Sequence, residues 1–193
     1  MKKEDRRVQR TRLALQEAFI DLMIEKGYEA VTVQDIIDRA NIGRSTFYAH
    51  YEGKEQLLLA NMERLHAFLQ EQIAQRRTSS PEEGGVRFGF SFAMLQHVQG
   101  HKSLYRAIVG KPDGAVVIHR MREMLLRMVE EEIGKRADQL GTAGLPSELA
   151  AEFVLTTFFT VLSWWMERGT PCSAEACDRL FHRLAFGGLL ARE

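Results

Sequence analysis

Little in this 193-residue chain points to catalysis, a metal or a membrane. It holds two cysteines, Cys172 and Cys177, too few and wrongly spaced for a zinc site or a CxxC redox pair, so buried or idle thiols are expected. P-loop, G-x-S-x-G, H-E-x-x-H and Gly-rich dinucleotide patterns are all missing, so no enzyme and no cofactor are expected. Histidines are scattered at positions 50, 66, 97, 101, 119 and 182. His97 and His101 have the four-residue spacing that metal ligands use on a helix, but Gly100 between them is expected to end that helix. That leaves two ordinary histidines and no metal site. No run approaches the ~20 apolar residues that span a bilayer, and MKKEDRRVQR lacks the apolar centre of a signal peptide. A cytoplasmic chain without membrane association is therefore expected.

Net charge is also missing, since 26 Lys and Arg balance 26 Asp and Glu. The placement is more informative than the sum. Residues 1–12 carry six Lys and Arg against Glu4 and Asp5, whereas 13–38 carry Lys26 against Glu17, Asp21, Glu25, Glu29, Asp35 and Asp38. Residues 39–54 turn positive again through Arg39, Arg44 and Lys54 against Glu52. Positive charge is thus concentrated in the first residues and around 39–54, where a polyanion could bind.

What remains is helical. Apolar residues at Leu15, Ala18, Phe19, Leu22 and Met23 predict a helix over 7–26, with Gly27 as its stop. Leu58, Met62, Leu65, Leu69 and Ile73 predict another over 54–77, followed by a polar loop at 78–85. Val86, Phe88, Phe90 and Phe92 alternate like a strand. A single strand would have no partner, so a helix over 86–98 is expected. Further helices are expected over 101–109, 115–137, 147–168 with Ser147 as cap, and 173–191 with Ser173 as cap.

The most informative stretch is TVQDIIDRANIGRSTFYAHYEGK, residues 32–54. Thr32 can cap a short helix, with Asp35 three residues later in an Asp version of the capping box. Val33, Ile36, Ile37 and Ala40 share one face of it, and Asn41 can stop it in a left-handed turn. In the next segment Phe47 and Tyr51 should point inward, leaving Arg44, Ser45, Thr46, Tyr48, Ala49 and His50 outward. Donors, acceptors and one methyl-sized side chain suit the edges and phosphates of a major groove. The segment reads as a helix-turn-helix.

From about Arg10 to Leu59 the chain resembles the DNA-binding domain of the tetracycline-repressor (TetR) family of bacterial regulators. The specific part is Thr46, Phe47, Tyr48, His50, Tyr51 and Lys54 following the short capped helix. The resemblance implies an all-α protein: a three-helix helix-turn-helix domain, here 1–55, then a helical ligand-sensing and dimerisation domain, here 56–193. It also implies phosphate contacts at Thr32, Tyr48, His50 and Lys54 and base contacts at Gln34, Arg44 and Ser45, with Thr46 fitting either role. Ala49 departs from the larger or polar residue usual at its position.

AAEFVLTTFFTVLSWWM is apolar almost all round and must be covered on several sides. In the family the last two long helices pair with a second subunit. A homodimer through 147–168 and 173–191 is therefore expected, with Leu180, Phe181, Leu184 and Gly188 as the partner stripe. The family's sensor cavity would fall near Phe90, Met94, His97, Tyr105, Met121, Leu125, Phe158 and Trp165. Such a lining suits a small apolar or aromatic effector. The expected function is a transcriptional regulator, a ligand-released repressor that binds a palindromic double-stranded DNA operator. Two alternatives are a nucleoid-associated or division-site DNA-binding protein of the same fold, and a helical carrier or enzyme with a relic helix-turn-helix.

Overall fold

A computed structural model describes residues 3–79, 87–109, 111–140 and 144–187. Nine α-helices lie within them: α1 Lys3–Lys26, α2 Val33–Ala40, α3 Arg44–Tyr48, α4 Lys54–Ser79, α5 Gly89–Gly100, α6 Lys102–Ile108, α7 Ala115–Leu140, α8 Ser147–Glu167 and α9 Ala174–Gly187. A single 3-10 turn, Pro112–Gly114, precedes α7, and no strand occurs among the described residues. The fold is all-α. The chain divides into two compact units, residues 1–65 with 103–120, and residues 66–102 with 121–193.

In the first unit α1 buries Leu15, Phe19, Leu22 and Met23 along one face, and Ile36, Ile37, Phe47, Tyr51, Leu57 and Leu58 are buried from the elements that follow. Gly27 ends α1 at φ 78°, a conformation that disfavours a side chain. Gly114 is required for another reason. A Cβ there would lie 2.1 Å from the Ile108 carbonyl oxygen, so only glycine lets the 3-10 turn approach α6 so closely.

The second unit has an aromatic core. Phe90, Phe158 and Phe181 pack edge to face, with ring centroids 5.1 Å and 5.5 Å apart along that series. Phe88 joins them 6.4 Å from Phe181. The alternating phenylalanines are resolved by the start of α5, which begins at Gly89 and not at Val86. Phe88 stays extended as its N-cap, so Phe88 and Phe90 both reach the core across the strand-to-helix change. Phe92 is left half-buried beneath the Arg76 guanidinium, 3.9 Å from the ring.

Three other expectations are corrected. Pro146 is the N-cap of α8 and no side chain caps it, because Ser147 is already inside the helix. The basic first residues are helical, with α1 starting at Lys3 and Arg6, Arg7, Arg10 and Arg12 exposed on it. Finally, α8 is long and apolar enough to cross a bilayer by length and composition, with half of its most apolar window buried inside the fold. Ser173 does cap α9 from the preceding loop, accepting from the Ala176 N–H at 3.3 Å.

Candidate nucleic-acid interface

Local chemistry builds the helix-turn-helix. The Thr32 hydroxyl accepts from the Asp35 N–H at 3.2 Å, while the Asp35 carboxylate accepts from the Thr32 N–H at 2.8 Å, so α2 starts on a complete capping box. Lys26 lies 2.7 Å from the same carboxylate, and that hydrogen bond, with those from Thr32, holds the Asp35 carboxyl far below its usual range. At the other end Asn41 is left-handed at φ 51°, and Ile42 N–H returns to the Ile37 carbonyl at 3.0 Å. Gly43 then opens α3, and Phe47 is wholly buried beneath it.

This scaffold displays Arg44, Ser45, Thr46, Tyr48 and Ala49 to solvent, with His50 half-buried at the edge. Tyr48 is 51% exposed, a large aromatic offered outward rather than packed. Gln34 and Thr32 are also exposed, although the Thr32 hydroxyl is engaged in its cap. Apart from half-buried His50 the outward set is the one the sequence predicts, and its chemistry suits base edges and phosphate oxygens.

Two of the three cations around this segment are committed to the protein itself. Arg39 makes a forked pair with Glu25 of α1, at 2.8 Å and 2.7 Å. Lys54 points inward. Its Nζ donates to the carbonyl oxygens of Tyr28, Glu29 and Val31, each at 3.1 Å, and lies 4.6 Å from the Tyr28 ring centre. An ammonium has three N–H donors, and these carbonyls use all of them. The positive charge counted over 39–54 is therefore not all presented outward. Arg44 is, and it is held: its Nη2 donates to Gln34 Oε1 at 2.6 Å, and Gln34 Nε2 donates to Asp38 Oδ1 at 2.8 Å. In the sequence Asp38 stands only as one of the acids of residues 13–38, and its four-residue spacing from Gln34 is the one signal of a shared helix face.

The eight residues expected near an effector are mostly packed interior. Phe90, Met94, Tyr105, Met121, Leu125, Phe158 and Trp165 are all at most 2% exposed, and burial pushes the Tyr105 hydroxyl pKa well up. The Trp165 indole N–H donates to the Cys172 carbonyl at 2.9 Å. His97 is half-buried, with its ring stacked 4.2 Å from His101 and 5.3 Å from Phe68. A cleft of about 320 Å³ lies elsewhere in the second unit, lined by Gln72, Ile73, Gln75, Arg76, Gly89, Phe92, Ala93 and Gln96. Cys177 is buried and free, and burial raises its thiol to about 12, as expected of an inert thiol.

The expected partner stripe is corrected. Phe181 is 0% exposed and packs on Phe88, Phe90 and Phe158 of its own chain, so it cannot face a second copy. Leu180 and Leu184 are half-buried, and Gly188 lies outside the described residues. The apolar side chains left outward are Leu149, Phe153 and Trp164 on α8 and Phe186 on α9, between 41% and 64% exposed.

Residues 17–60 match the bacterial regulatory proteins of the tetR family, a span that contains the capped α2, α3 and the start of α4. Relatives extend the likeness past that span. The HTH-type transcriptional repressor KstR2 of Mycolicibacterium smegmatis is 26% identical over 181 residues, covering 87% of this chain and 85% of that one. A TetR transcriptional regulator from Streptococcus agalactiae superposes with a TM-score of 0.68 at 28% identity, covering 95% of this chain and 97% of that one. Residues 17–60 thus carry the DNA-binding module of the tetR family. A stretch of 87 residues, 45% of this chain, is also 46% identical to the uncharacterised HTH-type transcriptional regulator YxbF of Bacillus subtilis (strain 168), a match that covers 22% of that longer protein. Among the described residues a helix-turn-helix comes first and helices follow as far as Gly187.

Proposed function

We propose that this chain is a TetR-family transcriptional repressor, acting in the cytoplasm as a homodimer on a palindromic operator and released by a small effector. The observation that carries the proposal is the α2–α3 surface, where Gln34, Arg44, Ser45, Thr46 and Tyr48 stand outward on a turn fixed by the Thr32–Asp35 box and by buried Phe47. Residues 1–55 supply the DNA contacts and 56–193 the ligand and dimer contacts. Phosphates are met by Tyr48, His50 and the exposed arginines of α1, bases by Arg44, Ser45 and Thr46. Lys54 supports the surface from behind, because its three donors are already used.

Pairing through the outward Leu149, Phe153, Trp164 and Phe186 would cover the largest exposed side chains of the last two helices. Two copies can then fill successive major grooves only when their α3 helices are about 34 Å apart or a multiple of that. An effector that favours another spacing must weaken operator binding by linkage. An apolar or aromatic molecule suits the interior of the second unit near Phe90, Met94, His97, Met121, Leu125, Phe158 and Trp165, which admits it by repacking.

The test is a genome-wide pull-down followed by fluorescence anisotropy on the recovered sequence. A shared palindrome bound far more tightly than random DNA, by a dimer in light scattering, is the expected result. Phe153→Asp should then yield monomers and lose the palindrome preference. Equal binding of random and recovered DNA, or a wild-type monomer at micromolar concentration, would overturn the proposal.

A further inference from the structure

We infer that Asp38, which touches no base, sets the base preference of Arg44 through Gln34, and that the pair read is G·C. This rests on the reading of α2–α3 as a DNA-reading surface. Three exposed side chains form one line: the Asp38 carboxylate accepts from Gln34 Nε2 at 2.8 Å, and Gln34 Oε1 accepts from Arg44 Nη2 at 2.6 Å. The ends of the line fix its middle. A carboxylate only accepts and a guanidinium only donates, so the Gln34 amide has one workable orientation. Flipped, it would set N–H against N–H and oxygen against oxygen.

The spacing supports this division of labour. Gln34 and Asp38 are one helical turn apart on α2, so they share a face without strain. Arg44 is the first residue of α3, ten residues beyond Gln34, and would otherwise be a long, freely rotating side chain. One of its five N–H donors is spent on Gln34, and four remain. Two of these can grip guanine O6 and N7 side by side, the commonest specific contact in a major groove. A guanidinium whose direction is fixed beforehand loses less rotamer freedom on meeting the base. The carboxylate itself works against a polyanion, so Asp38 costs affinity for DNA in general while sharpening one base pair.

The experiment measures binding of the full chain to the recovered operator, with each base pair of a half-site replaced in turn, at two salt concentrations. The wild type should show one G·C pair whose replacement weakens binding roughly tenfold or more, and Arg44→Ala should erase that penalty. Asp38→Ala should shrink it to a few-fold, leaving random-DNA binding unchanged or tighter and the salt slope unaltered, and Gln34→Ala should shrink it as well. Asp38→Asn should restore most of it, because the carboxamide oxygen still accepts from Gln34 Nε2. A merely structural Asp38 would predict equal loss at every position, no rescue by Asn, and a lowered melting temperature; that pattern overturns the inference. So does an unchanged base profile in Asp38→Ala. Wild-type protein that binds every sequence alike would instead defeat the DNA-reading proposal itself.

Discussion

The helices α2 and α5 begin in opposite ways. At α2 the free N–H groups are satisfied by neighbours, with Thr32 and Asp35 three residues apart. At α5 they are satisfied from far along the chain. Phe88 N–H donates to Nε2 of His182, 94 residues away, and Gly89 N–H donates to the Glu132 carboxylate at 3.1 Å, 43 residues away. No side chain of α5's own N-cap contributes. The difference separates a reading head that assembles by local rules from a second unit whose helices depend on one another.

The largest test of this contrast falls on Phe181. Its ring is fully buried among Phe88 and Phe90, at the start of α5, and Phe158 of α8. Phe181→Ala should destabilise the second unit by about 3–5 kcal/mol, through lost burial and the cavity left behind. Calorimetry should show one transition moved strongly while amides of α2 keep their hydrogen-exchange protection. Equal loss of protection in both units would show that the reading head does not stand on local contacts.

Legibility follows the same division. Thr32, Asp35, Asn41, Phe47 and Tyr51 were readable because each role depends on residues within one or two turns. The start of α5 was not, since alternating phenylalanines fit strand or helix until His182 and Glu132 arrive from other helices. Phe181 misled for a related reason: an apolar stripe on a last helix says that something covers it, not whether the cover is the same chain. Lys54 misled because charge counting assumes that a cation faces solvent, whereas three carbonyls of the loop between α1 and α2 accept from it. The ligand-lining residues were legible only as interior.

A second test asks whether Lys54 belongs to the scaffold or to the DNA surface. Lys54→Met keeps the aliphatic stem and removes the donors to Tyr28, Glu29 and Val31. Losing charge-assisted hydrogen bonds should cost about 1.5–3 kcal/mol in the first unit. Operator affinity should fall with it, but the dependence of log affinity on log salt should keep its slope. A slope lowered by about one unit would mean a lost phosphate contact and would return Lys54 to the DNA surface.

Thr32→Ala sharpens the local side of the comparison. Loss of an N-cap typically costs about 1 kcal/mol, and here it also frees the Asp35 carboxylate from one of its partners. Thermal denaturation of the first unit should move by a few degrees, and Thr32→Ser should recover it. Failure of serine to recover would point to the methyl group rather than the cap.

The smallest effect separates the two helix starts by pH. His182 accepts from Phe88 N–H at Nε2, and its Nδ1 lies 2.8 Å from the Asp178 carbonyl, so the neutral ring carries its proton on Nδ1. Burial, the largest influence, holds its pKa below the ordinary 6.5; Arg87 and Arg76 act in the same direction, and the Asp178 carboxylate at 3.5 Å opposes them. The unfolded chain therefore takes up this proton at a higher pH than the folded one. Stability is fully present above about pH 6.5 and declines as pH falls toward the depressed value, because the imidazolium would turn Nε2 into a second donor facing Phe88 N–H. Asp35 behaves differently: its carboxyl is held down by Lys26 and Thr32, so its contribution is complete above the ordinary 3.8 and disappears only in stronger acid. Melting at pH 7.5 and pH 5 should thus lower the midpoint of the second unit and leave that of the first nearly in place. In His182→Gln the drop between these two values should shrink. An equal drop in wild type and variant would assign the pH dependence to other groups and leave α5 without a titrating cap.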